Sequence, residues 1–171
     1  MDDKKTKLIV KRIRIILLVL IALWLLMIFG FSQQDGDASG SLSLKIAQFF
    51  FKNEEVAQSM VGPIRKMAHV LEYAIGGFLT SIFVLTFPID YLNRFFSVTG
   101  FVAIVAILDE VHQHFIPGRN GVWYDVLIDI GGCILGVIIT NILIRLISVV
   151  DYFATESGNN EDDGTDNPYK Y

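Results

Sequence analysis

Four long apolar stretches, separated by turn-forming or charged residues, constrain this chain more than any other feature. They fall at about residues 15–31, 67–87, 95–115 and 123–149. Each is long enough, with its flanks, for a helix to cross a hydrocarbon layer about 30 Å thick. The chain has 171 residues, 53% of them hydrophobic and 19% charged, and one soluble core cannot hide that much apolar surface. The expectation is an all-α integral membrane four-helix bundle.

The first stretch follows a basic start, as a signal peptide would. It is too long for the apolar region of one, and no small-x-small cleavage site follows, so it reads as a retained helix. Pro63 after Gly62 suits the first turn of the second helix, and Pro88 stops it. Pro117 and Gly118 end the third. Short links at 89–94 and 116–122 make the neighbours antiparallel. Between the first two helices, Leu42, Ile46, Phe49 and Phe50 follow the spacing of an amphipathic helix. That segment is expected to lie in the outer interface and roof part of the bundle, with Phe49 to Phe51 as an anchor.

Charge sets the orientation. Six of the fourteen basic residues (Lys4, Lys5, Lys7, Lys11, Arg12 and Arg14) precede the first helix, which places the N-terminus in the cytoplasm. Four crossings return the C-terminus there, an N-in/C-in arrangement with Arg94 and Arg145 at the inner face. Trp123 and Tyr124 then fall at the outer interface. Lys45, Lys52, Arg65 and Lys66 argue against this orientation, but the N-terminal cluster is denser. The reading divides the chain into a basic cytoplasmic N-terminus (1–14), a membrane domain (15–150) and an acidic tail (151–171) expected to be disordered and cytoplasmic. No basic face suggests nucleic acid. The single cysteine, Cys133, reads as a buried helix thiol.

Depth follows from helix rise. Asp109 lies roughly 22 Å above Arg94, Asp129 roughly 24 Å above Arg145, and Glu72 roughly 27 Å from the level of Asp90. Three helices thus deliver carboxylates to one outer layer. Charge inside a bilayer costs at least about 2.5–3.5 kcal/mol, so such groups face partners or water. Arg65, His69, Glu72 and Gly76 share a face with Tyr73 beside them. Asp109, His112 and Gln113 share another, flanked by Glu110 and His114. Asp125, Asp129, Gly132 and Gly136 line up on a third. Gly132 and Gly136 read as a packing seam. Arg119 stands on the turn that can reach back over the acids. Ion pairs that merely clamp helices would explain one such charge, but not four acids, three histidines and an arginine together.

These residues carry a resemblance. Asp109-Glu110, Gln113, Phe115, Pro117-Gly118-Arg119, Asp125, Gly131-Gly132 and Gly136 resemble the central signature of the VanZ-like family. Lys66, His69 and Glu72-Tyr73 resemble its pattern at the second helix, and Ser32-Gln33 its pair after the first. Together they cover most of residues 13–150. Asp129 departs from the pattern, standing where the family is expected to favour Asn. The family takes its name from a membrane protein linked to low-level resistance to teicoplanin-type glycopeptide antibiotics in Gram-positive bacteria. The resemblance implies a multi-pass bacterial cell-membrane protein concerned with the envelope, and no settled reaction.

Two functional readings stay open. In one, the polar layer is a membrane-embedded enzyme or binding site for a lipid-linked or anionic headgroup. Arg119 and Lys66 would hold the anion. His69 would handle a proton, with Asp109 and Glu110 orienting or sharing it. Ser32, Gln33, Glu72, Tyr73, Gln113, Asp125 and Asp129 would complete the lining. Ligand-type side chains are present, but no specific metal-binding spacing is, so no metal and no cofactor is expected. In the other reading the chain is a non-catalytic scaffold, sensor or interaction protein whose polar layer fixes helix register. Transport is weaker, because four helices are few for a path and no inverted repeat is visible, although an oligomer would supply one.

Overall fold

The computed structural model describes residues 3–119 and 121–162, with the side chains of 153–162 left aside. Six helices follow one another: α1 (Asp3–Ser32), α2 (Gly36–Phe50), α3 (Glu54–Ser59), α4 (Val61–Leu85), α5 (Tyr91–His114) and α6 (Trp123–Asp162). The described residues contain no strand. Four of the helices (α1, α4, α5 and α6) are long and apolar enough to cross a membrane.

The helix ends follow local chemistry. α1 runs back through the basic residues to Asp3, since lysine and arginine are good helix formers. Asp90 caps α5, its side chain accepting the Asn93 N–H at 3.0 Å, so the link from α4 shrinks to residues 86–90. Asp35 and Asn53 cap α2 and α3 in the same way. α6 continues to Asp162, so helix covers the first part of the segment expected to be a disordered tail. The last nine residues of that tail lie outside the described residues.

α4 is the hub, packing on α6, α1, α5 and α2. Its contact with α6 is close because glycines remove side chains from the seam. A Cβ on Gly132 would stand 2.5 Å from the Val70 carbonyl oxygen, and one on Gly136 or Gly77 would collide with the backbone of the opposite helix. Without a hydrophobic drive between helices in lipid, such close approach is what holds them. On α1, Leu17, Ile21, Trp24, Ile28 and Ser32 are buried at helical spacing. Trp24 meets the Tyr73 ring edge to face at 6.1 Å, and its indole N–H donates to the Glu72 carbonyl at 2.8 Å. The remaining faces of these helices expose leucine, isoleucine, valine and phenylalanine.

α2 packs the opposite way from a soluble amphipathic helix. Ser39, Ser43 and Ala47 are its buried residues, while Leu42, Ile46, Phe49 and Phe50 remain exposed. Its start is clasped to the α5–α6 loop. The Gly36 N–H donates to the Pro117 carbonyl at 3.1 Å, and Gly118 adopts φ 71°. A side chain at Gly36 would run into the Gly118 backbone, so the clasp needs glycine on both sides.

Candidate functional site

Antiparallel packing brings the end of α1, the start of α4, the end of α5 and the start of α6 to one end of the bundle. Two of these ends, those of α1 and α5, supply a closed polar set. Ser32 Oγ donates to Asp109 Oδ1, and Gln113 Nε2 donates to Asp109 Oδ2 at 2.8 Å and to Ser32 Oγ at 3.3 Å. All three side chains are buried. The set ties α1 to α5, and the Asp109 carboxylate is satisfied within it.

Asp129 stands in contrast. It is fully buried, and His69 Nδ1 approaches its Oδ1 at 3.2 Å. The alignment is not that of a hydrogen bond, and among the described residues nothing donates to either Asp129 oxygen. The buried Tyr73 hydroxyl is likewise without a partner among them. Each buried polar group left this way costs roughly 1–3 kcal/mol. Such a cost is tolerated where a site requires the group free.

Two cavities meet at His69. The first, about 120 Å³, lies between α2 and α4 and is lined by Ser39, Ser43, Leu42 and Ile46 on one side and His69 and Glu72 on the other. The second, about 270 Å³, opens among Lys66, Gln113, Tyr124 and Asp125. Arg65, His69 and Arg119 border both. Lys66 Nζ lies 4.9 Å from the centre of the Tyr124 ring. Arg119 has one weak anchor, Nη2 to the Phe31 carbonyl at 3.4 Å, and its Nε has no partner among the described residues. Burial and the nearby Arg65 charge hold the Arg119 guanidinium below the usual arginine range, while Asp109, Glu110 and Glu72 pull the other way. Two guanidiniums and an ammonium around a polar hollow suit an anion. No group of three metal-ligating side chains among the described residues stands close enough to hold a metal ion.

The residues singled out in the sequence therefore separate by position. His69, Glu72, Ser32, Lys66, Gln113, Arg119 and Asp125 line the cavities. Asp109, Asp129 and Tyr73 sit behind that lining, buried in the helix packing. Glu110 turns elsewhere and accepts the Val122 N–H at 2.7 Å, holding the loop into α6. Gln33 is exposed on the turn that ends α1, and Gln34 takes the place on the cavity wall. Sequence reasoning left Arg65 out of the site and did not find Ser39 or Ser43. The small residues at 39, 43 and 47, one helical face opposite the apolar stripe, are the signal that would have shown them.

A family model described as VanZ/LLP1 matches residues 17–145, which span all four long apolar helices and both cavities. Searches of the curated proteins and of the solved structures found no match. The match covers well over half of the chain, which belongs to the VanZ/LLP1 family.

Proposed function

We propose that this VanZ/LLP1 family member holds an anionic, lipid-linked component of the bacterial cell envelope at the outer leaflet, and thereby affects susceptibility to teicoplanin-type glycopeptides. The observation that carries the reading is Asp129. It is a buried carboxylate that no hydrogen-bond donor reaches among the described residues, 3.2 Å from a nitrogen of a histidine that borders two cavities flanked by arginines. The carboxylate meets the imidazole alone among the described residues, an arrangement suited to a site that must orient or shift a proton on His69. Arg119, Arg65 and Lys66 neutralise the headgroup. Gln113 and Asp125 face the same hollow and supply neutral and accepting contacts. If a reaction follows binding, His69 is the group suited to carry its proton. The orientation belongs to the same proposal: both termini cytoplasmic, with the basic N-terminal turns of α1 at the inner face.

The test is to identify the lipids that copurify with wild type and with Arg119→Ala by mass spectrometry. The account expects an anionic lipid enriched with wild type and depleted with the variant. Equal, non-selective lipid in both would remove the site. Alanine at His69 and Arg119 adds the cellular readout, because loss of a teicoplanin phenotype at normal protein abundance separates function from folding.

The scaffold reading has one observation in its favour, the closed Ser32–Asp109–Gln113 set, which has the character of a helix clamp. It accounts for Asp109, and the His69–Asp129 contact between α4 and α6 is open to the same account. The binding reading adds a role for the two cavities that His69 borders.

A further inference from the structure

The two cavities differ in chemistry along a single path, and the difference identifies the shape of the ligand. The larger hollow is bordered by charged and amide groups. The smaller is a slot between α2 and α4 whose outer lip is Leu42, Ile46 and Ile64, with Ser39 and Ser43 on the α2 wall and Ala68, His69 and Glu72 on the α4 wall. The Ser43 hydroxyl is already bonded to the Ser39 carbonyl of its own helix at 3.0 Å, so this wall offers the slot little polarity. The slot's volume of about 120 Å³ takes a short length of hydrocarbon chain. Leu42 and Ile46, 47% and 41% exposed, continue from the slot to the outer apolar face of α2. A chain leaving the slot thus meets apolar surface all the way out. Arg65, His69 and Arg119 stand where slot and hollow join.

We infer that the ligand is an amphiphile with a hydrocarbon chain and a phosphate-type anionic head, a length of the chain seated between α2 and α4 and the head between Arg65 and Arg119. Ser39 and Ser43 set the width of the slot, and are specificity-determining residues for the chain. This rests on the headgroup reading above and adds to it that chain and head are recognised by separate walls. The serines are small because anything larger would close the slot. The Gly36–Gly118 clasp holds the start of α2 at a fixed distance from the loop that carries Arg119, which keeps the two walls in register.

The experiment uses the full chain purified in mild detergent, with dodecyl phosphate and inorganic phosphate as probes and binding read by native mass spectrometry. Wild type is expected to hold dodecyl phosphate tighter than inorganic phosphate by on the order of tenfold or more, since each buried methylene adds to affinity. Ser43→Phe, which fills the slot, should erase that preference and leave inorganic phosphate binding unchanged. Ile46→Gln, an uncharged change at a position 41% exposed, should do the same in milder form and covers the case in which Ser43→Phe fails to fold. Arg119→Ala should weaken both probes together. If Arg119→Ala weakens both but the slot variants keep the full chain preference, the chain assignment is overturned and the headgroup site stands. If neither probe binds, or Arg119→Ala changes nothing, the headgroup site is overturned and the chain assignment with it.

Discussion

The two ends of the bundle treat charge differently. At the end away from the cavities, Arg14 reaches from α1 to α4, its Nε donating to Thr86 Oγ1 at 2.9 Å and its Nη2 to the Thr86 carbonyl, with the guanidinium 3.9 Å from the centre of the Phe87 ring. Arg94 donates to the Ile89 carbonyl at 3.0 Å, and Asp90 caps α5. Arg94 Nε and the nearby Ser81 hydroxyl are the unpaired atoms there. At the cavity end, Asp129, Tyr73, Arg119, Asp125 and His112 all keep unpaired polar atoms among the described residues. The first end is wired for stability. The second keeps more polar atoms unpaired among the described residues.

Variants at the two ends should behave accordingly. The largest effect is expected from Arg119→Ala. Retention of an anionic lipid should fall by on the order of 10–100-fold while the melting temperature holds, because the guanidinium has only one weak anchor to lose. A large loss of stability with retention intact would place Arg119 with the structural groups instead. Asp109→Ala should cost about 1–3 kcal/mol in denaturant or thermal unfolding, since it leaves Ser32 and Gln113 buried without their acceptor. Unchanged stability would break the distinction between the two aspartates.

Arg14→Ala should cost about 1–2 kcal/mol and leave lipid retention untouched, and any effect on retention would couple the two ends. The smallest effect is at Asp90, whose carboxyl lies below the usual aspartate range because the Asn93 backbone N–H bonds to it. A depressed folded-state value stabilises above the unfolded one, so this contribution is present near neutrality and fades as pH falls through the ordinary carboxylate range and below it. Asp90→Ala should flatten that acid-side slope by a small amount and change nothing at the other end.

Much of this was legible in the residues, and the parts that were not have physical reasons. Apolar run length, Pro88 and Pro117 place the ends of α4 and α5 and the start of α6 to within a turn. The start of α1 and the end of α6 run well beyond their apolar stretches, because polar and charged residues break the apolar pattern without breaking the helix. Helix rise alone brings Glu72, Asp109 and Asp129 to one level. It says nothing of side-chain partners, so it ranked Asp109 and Asp129 together when one is bonded and the other is not. The apolar stripe of α2 was plain, but the packing face is the opposite one. With lipid as solvent, leucine and phenylalanine gain nothing from turning inward, and small residues allow the closest approach. Cavity walls built from serine carry no conspicuous signal, so the slot appears only once α2 is laid on α4.

The central claim is that the cavity end holds an anion through Arg119. Solid-state NMR that reads ³¹P–¹⁵N dipolar coupling between bound dodecyl phosphate and labelled arginine side chains tests it most directly. The account predicts a coupling that shrinks in Arg119→Ala and is unchanged in Arg14→Ala. No coupling in wild type, or one indifferent to Arg119, would contradict it.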